Sequence, residues 1–246
     1  MKRGDATVLW VSVTLAAVAV AAVVFSVRVL DRRSGPSQAD STSSLLVLTW
    51  APALCAVEAS NSGCRSGHVG AMGAAFVLHG LWPQPSTEQY CDVPKRTPDR
   101  SRSPVALPKD LEANLKAMMS DSTIMTTHEW YAHGTCSGVT PPEYFGIATT
   151  LATQANAVLN PLFAEKSGKP MSARSIRAAF DARYGKGTGS RVGLVCKGAG
   201  GRGSVAFEVR LSLPPVTQLR QDSPSLAEAM SAGPTVPPGC GQARVP

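Results

Sequence analysis

Apolar positions along the chain fall into runs with different periods. From Ala6 to Val27 no charged residue interrupts the sequence. Further on, LLVLTW (Leu45–Trp50) and MGAAFVLHGLW (Met72–Trp82) are short apolar runs without helical spacing, bounded by Pro or Gly, and each predicts a strand. The segment Ala51–Gly70 between them reads as a cysteine-containing loop. Pro108-Lys-Asp-Leu opens an amphipathic helix reaching about Met119, with Leu111, Leu115 and Met118/Met119 on one face. A second helix is predicted over Thr126–Gly134, with Gly134 as its stop. Thr140 lies three residues before Glu143, with prolines at the first helical positions, which is a capping box opening a helix to about Leu159. Ser172 caps another over Ala173–Tyr184. RVGLVCK (Arg191–Lys197) and SVAFEVRLSL (Ser204–Leu213) flank GAGGRG and read as a hairpin. Strands and helices mixed without strict βαβ alternation predict an α+β domain.

The chain divides accordingly. Residues 1–33 form a signal peptide or signal anchor: the apolar run is long enough to span a bilayer, and its Ala-x-Ala candidates lie inside it rather than after it, which favours an uncleaved anchor. Residues 34–44, SGPSQADSTSS, have linker composition. The folded domain is expected over residues 45–213, followed by a Pro/Gly-rich tail over 214–246 held only by Cys240. All six cysteines lie beyond the apolar run, and an even count in an exported chain reads as disulfides, although spacing alone leaves 15 pairings open. The body is therefore expected to be periplasmic or secreted, with a membrane contact through the first segment if that is retained. Of the net charge of +7, residues 1–33 contribute +3 through five Lys/Arg and two Asp/Glu, leaving +4 for residues 34–246. That is compatible with a polyanionic substrate and does not by itself identify one.

Candidate chemistry concentrates in HEWYAHGTCSG, His128–Gly138. If residues 128–134 are helical, steps of about 100° put His128, Ala132, Glu129 and His133 on one side, with Glu129 and His133 as i,i+4 neighbours. A carboxylate beside a histidine sets its basicity and orientation. Trp130 and Tyr131 are expected to face the core. Zinc hydrolases use H-E-x-x-H, whereas the spacing here is H-E-x-x-x-H, and one extra residue turns the second histidine away by about 100°. His79, in FVLHGLWP, ends a strand where side chains reach a cleft; His68, in a Gly/Ser-rich loop, reads as solvated. Without a metal, two histidines of opposite protonation can take a proton from a hydroxyl and give one to a leaving oxygen across a phosphodiester. RNA carries that hydroxyl itself, at the 2′ position.

FVLHGLWPQ and HEWYAHGTCSG resemble the two active-site segments of the ribonuclease T2 family, acid ribonucleases of fungi, plants and bacteria. LLVLTWAPALC resembles the family's first strand with its Trp-x-Pro-x-x-Cys, and SVAFEVRLSL a late strand, so the similarity spans about Leu45 to Leu213. It implies a mainly antiparallel central sheet with flanking helices, and a monomeric endoribonuclease that cleaves single-stranded RNA through a 2′,3′-cyclic phosphate without metal or cofactor. By the same resemblance His133 is the general base, His79 the general acid, His128 a phosphate ligand, and Glu129 a transition-state stabiliser that holds His133; Trp82 and Tyr90 receive bases. The pairs Cys55–Cys64, Cys91–Cys136 and Cys196–Cys240 are also implied, although Ser212 stands where many relatives have a cysteine. The departure is Ala132, where the family usually has Lys. It implies a slower enzyme rather than a dead one. The competing reading is a non-catalytic RNA-binding or toxin-like surface protein keeping the same fold.

Overall fold

A computed structural model describes residues 41–221 and 223–246 of the chain; the expected N-terminal signal or anchor and most of the linker lie outside the described residues. Among the described residues, no helix is long and apolar enough to cross a membrane. A six-stranded sheet is built from β1 (Ser43–Trp50), β2 (Phe76–Gln84), β3 (Pro170–Ser172), β4 (Val192–Gly198), β5 (Ser204–Leu213) and β6 (Gln242–Arg244). β1 lies antiparallel between β2 and β5, and β4 pairs antiparallel on β5, which confirms the hairpin and the mainly antiparallel α+β class; β6 joins β5 in the one parallel pairing described between strands.

The segment expected as a loop after β1 is instead three short helices, α1 (Ala51–Val57), α2 (Ser62–Arg65) and α3 (His68–Ala71). Pro52 falls in the first turn of α1, where its missing N–H costs nothing, and the Cys55–Cys64 disulfide joins α1 to α2. α4 (Lys109–Met118) buries Leu111 and Leu115 as its periodicity requires. α5 (Ser122–Ala132) starts four residues earlier than expected because the Asp121 carboxylate accepts from the Thr123 and Ile124 N–H groups. At α6 (Pro141–Glu165) Glu143 accepts from the Thr140 N–H at 2.8 Å, and the helix continues through Pro161 beyond the expected Leu159. α7 (Ala173–Tyr184) has the bounds and the Ser172 cap the sequence predicts.

α6 backs one face of the sheet. The Tyr144 hydroxyl donates to the Leu81 carbonyl at 2.6 Å, Asn156 donates to the Phe76 carbonyl, and Trp50, Phe76 and Phe163 form an aromatic cluster. The tail is a correction: it is woven into the fold rather than held by Cys240 alone. α8 (Leu226–Ala232) buries Leu226 and Met230, β6 pairs with β3 and β5, and Val245 is buried. Its scattered apolar residues lack an extended period, so turn composition masks them.

The opposite face carries the site, and one irregularity creates it. Val47 faces Gly80 while Leu48 faces Leu78, so His79 is an extra residue in β2, a bulge. Directly opposed residues share a sheet face. Thr49 is opposed by Val77 and Glu208, and Val47 by Gly80 and Arg210. The bulge thus lets His79 and Gly80, adjacent in sequence, both serve one face, where simple alternation would have sent one of them into the core.

Candidate active site

β2 supplies His79, Gly80 and Trp82; β5 supplies Glu208 and Arg210; and α5 with its C-terminal cap supplies His128, Glu129 and His133. Glu129 is fully buried. Its Oε2 accepts from Trp82 Nε1 at 2.9 Å, while Oε1 lies 3.8 Å from His79 Nε2 and has no hydrogen-bond partner. The carboxylate can descend onto the strand because residue 80 is glycine: a Cβ there would stand 1.8 Å from Glu129 Oε2 and 2.8 Å from Trp82 Nε1. Gly80→Ala must therefore push the carboxylate or the strand aside, at about 1–3 kcal/mol for an overpacked core position. A lower denaturation midpoint and reduced RNA turnover are expected together, and an alanine variant with unchanged midpoint and rate would contradict this role. Gly134 serves a similar end, since a Cβ there would meet the Trp130 ring at 2.2 Å.

His79 Nδ1 donates to Glu208 Oε1 at 3.1 Å. Burial disfavours its charged form, but the Glu208 hydrogen bond and the charges of Glu129 and Glu208 outweigh that and raise its pKa above 6.5. Glu208 is itself buried and pairs with Arg210 Nη2 through Oε2 at 3.0 Å; burial works against its ionised form, and His79 and Arg210 overcome it and lower its pKa. The reverse holds at His133, where burial first, and the charges of His128 and His79 after it, depress the pKa to about 3. His133 stacks on Trp82 with ring centres 5.1 Å apart, and its buried Nδ1 has no partner. Burial raises the Glu129 pKa against the opposing charges of His79 and His128 and the Trp82 hydrogen bond.

The expectation that Glu129 grips His133 is corrected. α5 ends at Ala132, and its cap His133, at φ −126°, keeps the helical backbone bond to the Glu129 carbonyl at 3.1 Å, but the Glu129 carboxylate accepts from Trp82 and makes no hydrogen bond with the His133 ring. Glu129 orients Trp82 instead, and Trp82 stacks on His133. The longer spacing does not keep a cation out by geometry: ligand atoms of His128, Glu129 and His133 all lie within 4.8 Å of one another, so these three could hold a metal ion. His128 Nδ1 is 2.8 Å from Asp99 Oδ2. Tyr131 faces outward rather than into the core, with Arg102 4.8 Å from its ring and its hydroxyl donating to the Ser103 carbonyl. Tyr90 donates its N–H to the Ala132 carbonyl and carries Arg102 5.2 Å from its ring, so the loop bearing it is pinned to the end of α5, where Cys91 is disulfide-bonded to Cys136. Ala132 is buried. His68 is half-buried and bonds the Met119 carbonyl. The disulfides are the three expected: Cys55–Cys64, Cys91–Cys136 and Cys196–Cys240. Sequence reasoning missed Gly80, Asp99, Glu208 and Arg210. Only the alternation of charges in FEVRL, on one face of a strand, could have pointed to the last pair.

The Ribonuclease T2 family model matches residues 42–222. "Ribonuclease MC" of Momordica charantia is 31% identical over 157 residues, which cover 59% of this chain and 76% of that protein. A "Ribonuclease" of Aeromonas hydrophila is 31% identical over 106 residues, 43% of this chain and 42% of that one. Among solved structures, ribonuclease MC1 from the seeds of bitter gourd superposes with a TM-score of 0.57 at 22% identity, covering 82% of this chain and 99% of that one. A mutant of RNase MC1 in complex with 5′-UMP gives 0.54 at 25% identity, over 71% and 89% of the two chains.

Proposed function

Because the chain belongs to the ribonuclease T2 family of endoribonucleases, we propose that it is an exported, metal-independent enzyme that cleaves single-stranded RNA by histidine acid–base catalysis. The observation that carries this reading is geometric: the His79 and His133 rings lie 5.0 and 5.1 Å from one Trp82 ring, in surroundings that raise the pKa of the first above 6.5 and lower that of the second to about 3. In this reading His133 removes the 2′-hydroxyl proton. The freed oxygen attacks the adjacent phosphorus, and the P–O5′ bond breaks. His79, its other nitrogen held by Glu208, hands a proton to the departing 5′-oxygen. The product is a 2′,3′-cyclic phosphate, which water can open in a second step with the two histidines exchanging roles. His128, braced by Asp99, binds the phosphate, and Glu129 fixes Trp82 between the two catalytic rings. Tyr90 receives a base, which is sequence-tolerant recognition, whereas Trp82, expected to do the same, has His133 stacked on it and Arg210 over its ring. Export is supported by the three disulfides.

The signs of the two shifts set the pH dependence. The base must be neutral, which holds above its pKa of about 3. The acid must be protonated, which holds below a pKa raised above 6.5. Turnover of single-stranded RNA is therefore expected to plateau through the acidic range, to fall below about pH 3 and to fall again above 6.5, in buffers containing EDTA. An alkaline optimum, or activity abolished by EDTA, would contradict the mechanism. RNA binding with turnover no higher than that of His133→Ala would favour the non-catalytic RNA-binding reading instead.

A further inference from the structure

We propose that Arg210 contacts the substrate, its guanidinium binding the non-bridging oxygens of the scissile phosphate and supplying the fixed positive charge that Ala132 cannot. This rests on the ribonuclease reading of the site. Gly80, Val47 and Arg210 form one row across β2, β1 and β5. Strands sit about 4.8 Å apart, so the arginine backbone is two strands from the glycine that admits Glu129. Its long side chain spans that gap and sets Cζ 5.3 Å from the centre of the Trp82 ring. The rings of His79 and His133 are 5.0 and 5.1 Å from that same ring.

A fixed cation there would offset the negative charge that the substrate brings to a face already carrying carboxylates. Glu129 and Glu208 are buried carboxylates on this face, and Asp99 stands beside His128. A phosphodiester brings one negative charge and gains a second as the 2′-oxygen attacks. The histidines pass protons during the reaction, whereas a guanidinium keeps its charge throughout. Arg102, which also lies near these groups, has a side chain only 4% exposed; it is bonded to the Pro94 carbonyl, paired with Asp99 and covered by two tyrosine rings. Arg210 is 37% exposed and uses one Nη2 bond, to Glu208, while its buried Nε has no partner. A guanidinium has five donors in a fork that suits phosphate oxygens, and most of them are uncommitted here.

Arg210→Met keeps the packing stem and removes the charge. It is expected to lower kcat on a dinucleoside monophosphate by about 10²-fold, the usual loss for a charged transition-state donor, with the melting temperature showing that the fold is retained. Adding Ala132→Lys should restore about tenfold or more in the Arg210→Met background, and less in the wild-type background. Arg210→Lys should retain part of the rate. Independently, isothermal titration of 3′-UMP, whose phosphate is a dianion, should show at least about tenfold weaker binding to Arg210→Met. Unchanged kcat and unchanged 3′-UMP affinity overturn the proposal. So does a loss that Ala132→Lys fails to recover and that moves the high-pH limb of activity, because Arg210 then acts only through Glu208 on His79. Wild-type turnover at the His133→Ala level would instead sink the ribonuclease reading, and the titration would still decide whether Arg210 meets the phosphate.

Discussion

Conversion of His133 to alanine is expected to lower turnover by about 10²–10⁴-fold, both on RNA and on a nucleoside 3′-(p-nitrophenyl phosphate). The base acts at the 2′-hydroxyl, and that proton must leave whatever the leaving group is. Its pKa near 3 keeps the ring neutral across the acidic range. That state comes at a cost in stability, because an unfolded histidine would bind a proton below about 6.5. His133 is therefore a poor choice for mere packing. Substrate binding should change little, since His128 and Arg210 remain. A variant that retains wild-type rates on both substrates would show that another group removes the proton.

Conversion of His79 to alanine should be just as damaging on RNA, about 10²–10⁴-fold, yet nearly silent on the p-nitrophenyl ester. A ribose 5′-alkoxide is a strong base that needs a proton as it leaves, whereas p-nitrophenolate does not. The selectivity separates a general acid from a residue that only shapes the site. Glu208 offers a matched control: Glu208→Gln keeps a hydrogen-bonding partner 3.1 Å from Nδ1 but removes the charge. The high-pH limb of activity should then move down, because one of the charges holding the His79 proton is gone. Equal losses on the two substrates for His79→Ala would assign it a role other than proton donor.

Most of the frame was legible because period and capping are local. Ser172 and Glu143 announce the starts of α7 and α6, and the runs LLVLTW and SVAFEVRLSL announce β1 and β5. The three histidines of the candidate site were legible for another reason, the resemblance of two segments to one family. What escaped depends on register and on side-chain direction. Nothing local in FVLHGLW shows that His79 is a bulged residue, yet the bulge brings His79 to Glu208 and Gly80 to Glu129. Gly134 announces the end of α5, but nothing in HEWYAHG shows that the Glu129 carboxylate turns to the Trp82 ring rather than to His133. Glu208 and Arg210 come from a strand about 130 residues downstream of His79 in the chain, so only the fold joins them to the site.

Mass spectrometry of the ends released from a defined single-stranded RNA in EDTA tests the mechanism most directly. Attack by the substrate's own 2′-hydroxyl predicts fragments ending in a 2′,3′-cyclic phosphate, with a 5′-hydroxyl on the other fragment and none formed by His133→Ala above background. Fragments carrying a 5′-phosphate and a 3′-hydroxyl, or no cleavage at all, would contradict it.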